Sequence, residues 1–246
     1  MTTTFDVWAS ALPALLVLAL FGWLISLATR GAQVPSALWA VMMFAACVSY
    51  ALDSDPRATR LASVPPLVVF WAARHVVYLV SRHPRDPDRD LEPGAGFRNL
   101  FAVFVPQALL AWIVSLPLLG ALTSLRPAGL LDDAGFVLLG IGVLFEVISR
   151  WLARFQREPA TTFMGRALRL ATRHPNYMGE ALIWWGFWLL ACAAGAWWAL
   201  PGPLVITGLA LLAARPRPEN DSGKGRPRYA DYVLKTNAFF PARRRN

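Results

Sequence analysis

The side chains best suited to chemistry lie in one short stretch, residues 173–187. Asn176, Glu180, Trp184 and Phe187 follow one another there at spacings of three or four residues, so they share one face of a helix. An amide and a carboxylate on the same face are suited to holding a polar ring. The spacing therefore predicts a ligand site on this helix.

The residues just before this face are basic. Arg173 and His174 precede Pro175, which suits the first turn of a helix, where unpaired backbone N–H groups bind anions. Arginine also offers bidentate contacts to phosphate. Cations at the mouth of a cleft, with Asn176 and Glu180 deeper inside, suit a long ligand that has a phosphate end and a polar ring end.

A second polar face interrupts an earlier apolar run. Trp71, Arg74, Tyr78 and Arg82 are three or four residues apart and share a helical face. Ionisable groups at membrane depth are costly, so each is a functional candidate. Arg74 can alternatively extend its charged end to the interface, but its alignment with Tyr78 and Arg82 favours a polar cleft. His75 lies beside this face without a second ligand at metal-binding spacing, so no metal site is expected.

A third polar pair, Glu146 and Arg150, is four residues apart in another apolar run. It belongs either to the polar cleft or to a plain intrahelical ion pair near the membrane interface. The tryptophans at positions 184, 185, 188, 197 and 198 are expected mainly to form an aromatic belt at that interface.

The composition indicates which elements must position these faces. Of the 246 residues, 56% are hydrophobic and 16% are charged, and the mean hydropathy is +0.43. A soluble core of this size cannot bury so much apolar surface, which excludes most soluble enzymes and DNA-binding domains. Apolar stretches of about 20 residues predict membrane-spanning helices. Candidate spans lie at about 8–28, 35–52, 61–80, 99–123, 130–152, 178–199 and 201–214.

The distribution of arginine and lysine orients the predicted bundle. With seven spans and the N-terminus outside, 19 basic residues fall on one side and three on the other. This asymmetry predicts that the basic loops and the C-terminal tail are cytoplasmic. The net charge of +9 is then mainly a matter of topology, and no nucleic-acid partner is expected.

The predicted fold class is therefore all-α, a polytopic integral membrane protein of about seven transmembrane helices. Residues 1–246 are expected to form a single membrane domain. Its parts are N-terminal helices in 1–60, a core with the cofactor cleft in 61–214 and a cytoplasmic tail in 215–246. The chain lacks the internal repeat that many transporters show, which argues against a transporter.

Residues 173–180 (RHPNYMGE) with 184–186 (WWG) resemble the C-terminal signature of the steroid 5-alpha-reductase-like membrane proteins. They are most similar to the bacterial and fungal branch of these proteins, long described only as a domain of unknown function. Residues 228–241 resemble the closing motif of that branch, and residues 71–82 resemble its arginine helix. The resemblance covers roughly residues 70–241. The RHPxYxG core is shared more widely, with isoprenylcysteine and phospholipid methyltransferases.

The resemblance implies a helical bundle open to the cytoplasm for NADPH and to the bilayer for a lipophilic, steroid-like or other enone substrate. It implies hydride transfer to the β-carbon of an activated double bond and protonation at the α-carbon. Asn176 and Glu180 match the pair that holds the nicotinamide, and Tyr232 matches a tyrosine that closes the cofactor site. Tyr78 is the candidate proton donor and, with Glu180, the expected catalytic pair. The other expected cofactor contacts are Arg74, Arg82, Arg154, Arg157, Arg173, His174 and Tyr177, and the expected substrate contacts are Trp71 and Glu146.

The chain also departs from the steroid enzymes. Its first two spans contain no internal acid, and Trp71 stands where those enzymes carry a tyrosine. Glu146 and Arg150 stand where family members carry asparagine and aspartate. The resemblance therefore implies a reductase of a lipophilic substrate without implying steroid specificity.

Two alternatives stay open. An S-adenosylmethionine-dependent lipid or prenylcysteine methyltransferase shares the RHPxYxG core, but such enzymes typically carry paired glutamates where this chain has Glu219 and Asn220. A non-enzymatic membrane binding protein would keep the pocket without activity. The expected partners are a lipophilic small molecule and membrane lipids. Arginine-rich usage, with 22 arginines to two lysines, indicates a GC-rich bacterial source and hence the inner (plasma) membrane.

Overall fold

The computed structural model describes residues 3–29, 34–81, 96–155 and 175–214. Within these ranges every regular element is a helix, which confirms the all-α class. The main helices are α1 (Thr4–Thr29), α2 (Val34–Leu52), α3 (Val64–Ser81), α4 (Gly96–Leu122), α5 (Leu130–Phe155), α6 (Pro175–Ala193) and α7 (Pro201–Ala213).

Proline determines where several of these helices begin. Pro35, Pro65, Pro175 and Pro201 all lie in the first turn of a helix. Proline is tolerated there because the first N–H groups of a helix have no intrahelical acceptor, and its fixed φ suits the helix. This preference explains why α6 begins at Pro175, three residues before the apolar run from which its span was predicted.

Helix α4 is interrupted twice. A π-helical turn at Leu100–Phe104 precedes a helix at Val105–Val114, and a further helix at Leu116–Leu122 follows Ser115. A proline stands in the first turn of each of the two later segments. Because proline cannot donate to the preceding turn, the regular hydrogen-bond ladder has to break near it.

Within the described residues, three helices are long and apolar enough to cross a membrane, at Thr4–Ala28, Val34–Leu52 and Gly96–Leu122. The same residues include two shorter apolar helices, at Val64–Val77 and Trp197–Ala213. The length and composition of these helices indicate a membrane protein.

The helices form two compact units. Unit 1 comprises Met1–Asp132 and Trp188–Gly202, and unit 2 comprises Asp133–Phe187 and Pro203–Asn246. In unit 1 the chain leaves α6 through a tight turn, in which Gly195 has a φ of 88°. The N–H of Ala196 donates to the oxygen of Ala191, and the N–H of Gly195 donates to that of Cys192, both at 2.8 Å. This pattern caps the C-terminus of the helix and requires the left-handed conformation that glycine adopts at low cost.

Candidate functional site

In unit 2, glycines bring the backbones of α5 and α6 into contact. A Cβ added to Gly142 would lie 2.7 Å from the backbone oxygen of Gly179, and one added to Gly179 would lie 2.8 Å from that of Gly142. About two turns further along α6, a Cβ added to Gly186 would lie 2.9 Å from the backbone oxygen of Gly135 in α5. Only residues without a side chain allow this approach, which is a common way for helices to pack in membranes.

Glu146 lies at this crossing. Its side chain is 0% exposed, and its Oε1 atom is inaccessible to solvent. A Cβ on Gly179 would lie 2.7 Å from Cγ of Glu146, so the glutamate side chain passes directly over that glycine. The structure thus brings the predicted substrate residue of α5 against the first turns of α6. The side chain of Arg150 lies outside the described residues, so the structure does not test whether Glu146 belongs to the polar cleft or to an intrahelical ion pair.

Glu180 follows Gly179 directly and is oriented by its own helix. Nε1 of Trp184 donates to Oε1 of Glu180 at 3.1 Å, across one helical turn. The prediction that Glu180 and Trp184 share a helical face is therefore confirmed. The aromatic-belt prediction is wrong for Trp184, whose ring is 1% exposed, whereas Trp197 and Trp198 are about half exposed. The hydrogen bond to Glu180 satisfies the indole N–H of this buried tryptophan.

The remaining described residues of α6 form the surroundings of this pair. Asn176 is half-buried in the first turn. Tyr177 packs against an apolar cluster of Met178, Ala181 and Ala210. On the same side, Nε1 of Trp185 donates to Oγ1 of Thr207 at 3.1 Å, which links α6 to α7. These contacts hold the first two turns of α6 in place around Asn176 and Glu180.

In unit 1, helix α3 carries the arginine face. Trp71 is 2% exposed, and its ring centroid lies 5.7 Å from that of His75. The Nε and Nη2 atoms of Arg74 and Nδ1 of His75 are inaccessible to solvent. Arg74 as a whole is half-buried, so its guanidinium is shielded from solvent in part. Tyr78 lies one turn further along α3, and its side chain is outside the described residues.

Several predicted site residues lie outside the part of the chain that the structure describes. Arg154 is in the last turn of α5, where the backbone but not the side chain is described. The others outside the described residues are Arg82, Arg157, Arg173, His174 and Tyr232. The described residues of unit 2 are therefore those expected at the polar ring end of the ligand.

Sequence reasoning missed the packing role of the glycines and the donor role of Trp184. A signal for the first was present, because Gly135 and Gly142 are seven residues apart, and so are Gly179 and Gly186. Small residues that recur at this spacing on two apolar helices are typical of a close helix–helix interface.

The protein-family model described as "Protein of unknown function (DUF1295)" matches residues 22–236 of the chain. This match spans most of the sequence, so the chain belongs to that family. No curated protein and no solved structure matches the chain significantly.

Proposed function

We propose that this DUF1295 protein is an NADPH-dependent membrane reductase, similar to the steroid 5-alpha-reductases, that acts on an activated double bond of a lipophilic substrate. One observation carries the proposal. Glu146 packs against Gly179, the residue before Glu180, where α5 crosses the first turns of α6, and Nε1 of Trp184 donates to the Glu180 carboxylate at 3.1 Å. Two buried or half-buried acids beside an amide are expensive in an apolar bundle and indicate a bound polar group.

The chemistry of these side chains fits a nicotinamide. Its carboxamide has both a donor and an acceptor, which the Glu180 carboxylate and the Asn176 amide complement. NADPH, when bound, supplies a hydride to the β-carbon of the activated double bond. The protein's contribution is orientation: Trp184 holds Glu180 in one rotamer, and the glycine crossing holds α6 against α5.

The other assignments extend this proposal. Arg74, whose Nε and Nη2 atoms are shielded from solvent, would contact the phosphate groups of the cofactor. The arginines near the cytoplasmic mouth would bind the phosphates, with Tyr232 closing the site. Glu146 and Trp71 would contact the substrate, and the phenol of Tyr78 would donate a hydrogen bond to the developing enolate.

We also propose seven spans, with the N-terminus outside and the tail 215–246 in the cytoplasm of a bacterial inner membrane. The supporting observation is the excess of basic residues on one side, 19 against three. Cysteines introduced one at a time into the tail and into the loop at 53–63 test it by labelling from outside intact cells. Labelling of the tail from outside would contradict the orientation.

The decisive experiment compares cofactors. Purified protein in detergent is heated with NADPH, with S-adenosylmethionine or with neither, and the shift of the unfolding temperature is measured. A reductase is stabilised by NADPH, because a ligand that binds only the folded state raises its stability. Stabilisation by S-adenosylmethionine alone would instead support a methyltransferase, and stabilisation by neither would support a non-enzymatic binding protein.

Two tryptophan variants test the assigned site. Trp184→Phe removes the donor to Glu180, whereas Trp185→Phe removes an indole hydrogen bond of the same length, to Thr207. We expect Trp184→Phe to weaken NADPH binding roughly tenfold, as for the loss of one hydrogen bond to a charged group. Trp185→Phe should lower stability without changing the affinity of the protein that remains folded. Equal affinities in the two variants would remove Glu180 from the site.

A further inference from the structure

Unit 1 contains an apolar groove that the proposed reductase site does not use. It has a volume of about 420 Å³ and is lined by Thr4, Phe5, Trp8, Leu116, Leu119 and Trp198. These residues come from the first turns of α1, the last segment of α4 and the turn after α6. A volume of this size lies within the range of about 300–1,000 Å³ found for small-molecule sites.

One wall of the groove is rigid. The rings of Trp8 and Trp112 stack with centroids 3.7 Å apart and planes 5° from parallel. Each indole donates to the backbone oxygen of the other tryptophan, at 3.2 and 2.8 Å. The hydroxyl of Ser115 donates to the oxygen of Trp112 at 2.9 Å, and its oxygen lies 2.8 Å from the phenol oxygen of Tyr50. The groove is therefore already shaped before anything enters it.

The rigid wall also presents no polar group to an occupant. Both indole N–H groups of the stacked pair are used in the hydrogen bonds to backbone oxygens. Trp8 is thus an apolar surface for whatever lies in the groove. Besides Trp8, Thr4 and Trp198 are the lining residues whose side chains carry a polar group, a hydroxyl and an indole N–H. An apolar chain is the kind of ligand that this lining suits.

The rim of the groove is acidic. Thr3 and Asp6 cap α1 reciprocally: the hydroxyl of Thr3 donates to Oδ2 of Asp6 at 2.8 Å, and the Asp6 N–H donates back at 3.2 Å. This exposed carboxylate lies in the same turn as Thr4 and Phe5, which line the groove. One turn further along α1, Ser10 donates to the carboxylate of Asp53 at 2.6 Å.

This end of unit 1 differs in charge from the rest of the chain. Residues 3–10, 53–63 and 124–132 contain four aspartates and three arginines, in a protein whose net charge is +9. Two of the arginines are paired, Arg57 with Asp55 and Arg60 with Asp132. The guanidinium of the third, Arg126, packs against Gly195. The rim therefore offers carboxylates to a cation.

We propose that this groove binds a phospholipid with a primary ammonium headgroup, phosphatidylethanolamine, with an acyl chain in the groove and the ammonium at Asp6. Three features support this occupant: the groove lies at the ends of α1 and α4, which are long and apolar enough to cross a membrane; its lining is apolar; and its rim carries carboxylates. Tryptophans at such a position are typical of the membrane interface, where headgroup and acyl chain meet. The site is independent of the proposed reductase activity.

Photo-crosslinking tests the proposal on the full-length protein in lipid nanodiscs. The probes are phosphatidylethanolamine and phosphatidylglycerol with identical acyl chains that carry a diazirine, and crosslinked peptides are mapped by mass spectrometry. We expect phosphatidylethanolamine to label the peptides that contain Thr4–Trp8 and Leu116–Leu119 several-fold more than phosphatidylglycerol does.

Neighbouring tryptophans provide the matched control. Trp198→Ala removes one side of the groove, whereas Trp197→Ala changes an equally exposed residue of the same turn that does not line it. Labelling of Thr4–Trp8 should fall several-fold in Trp198→Ala and stay unchanged in Trp197→Ala. Asp6→Asn should abolish the preference between headgroups while acyl-chain labelling persists. Equal labelling in the two tryptophan variants, or no headgroup preference in the unmodified chain, would overturn the proposal.

Discussion

The buried ion pair of unit 1 provides a quantitative test of the structure. Nε and Nη2 of Arg60 donate to the two carboxylate oxygens of Asp132 at 2.6 and 2.8 Å, and both side chains are 2% exposed. Asp132→Asn keeps the shape but leaves the guanidinium charge buried without its counter-ion. Breaking such a pair from one side costs about 3–5 kcal/mol of unfolding free energy.

A second hydrogen bond of Arg60 narrows the expected loss of unfolding free energy. Its Nη1 also donates to the backbone oxygen of Arg126 at 3.2 Å, a contact that Asp132→Asn leaves intact. We therefore expect a loss of about 3–4 kcal/mol, in the lower part of the range for one-sided disruption. For a chain of this size each kcal/mol shifts the unfolding temperature by about 2–4 °C, so the expected decrease is roughly 6–16 °C.

Thermal unfolding in detergent measures this decrease, and the same loop offers the control. Arg57 and Asp55 form a 2.8 Å ion pair whose side chains are 81% and 35% exposed, so Asp55→Asn should leave the unfolding temperature unchanged. Replacing both buried charges, with Arg60→Met and Asp132→Leu together, should recover most of the loss. If Asp132→Asn unfolds at the same temperature as Asp55→Asn, the buried pair does not stabilise unit 1 and the reasoning is refuted.

Three further outcomes are expected. Gly142→Ala puts a methyl group 2.7 Å from a backbone oxygen of α6 and should lower the free energy of unfolding by about 1–3 kcal/mol. The control Gly140→Ala meets nothing within 4 Å and should not destabilise the protein. Thermal unfolding distinguishes the two variants. Gly195→Ala forces a φ of 88° on a residue with a side chain and should cost about 1–3 kcal/mol in the same assay. Hydrogen bonds from Arg57 lower the pKa of Asp55 to about 2 from 3.8. That interaction is therefore complete above pH 4 and lost as the pH falls through about 2. NMR titration of Arg57→Gln should show the pKa of Asp55 raised but still below 3.8, because the backbone N–H of residue 57 still donates to its carboxylate.

The local features of this protein were predictable from its sequence. Runs of apolar residues long enough to cross a membrane predicted helices, because a lipid-exposed backbone has to satisfy its hydrogen bonds within the segment. The four-residue spacing of Glu180 and Trp184 predicted one helical face, and the indole donates to the carboxylate across that turn. The predicted place of Pro175 in the first turn of a helix is confirmed, whereas the apolar run alone placed the start of that span at residue 178.

The contacts between distant residues were decided by the tertiary structure. Trp8 and Trp112 exchange hydrogen bonds across 104 positions, and Arg60 meets Asp132 across 72. The pattern of apolar residues marks a lipid-facing or packed surface without stating which helix covers it, because lipid and neighbouring helices are both apolar.

In the candidate site, too, the sequence pattern does not state which helix covers a given face. Sequence spacing predicts one face for Asn176 and Glu180, but it leaves Glu146 equally compatible with the polar cleft and with an intrahelical ion pair to Arg150 near the interface. Its position over Gly179 follows from the close crossing of α5 and α6, which depends on glycines on both helices at once. The periodicity of one helix determines which side chains share a face. Only the packing of two helix backbones determines which residues of the other helix that face contacts.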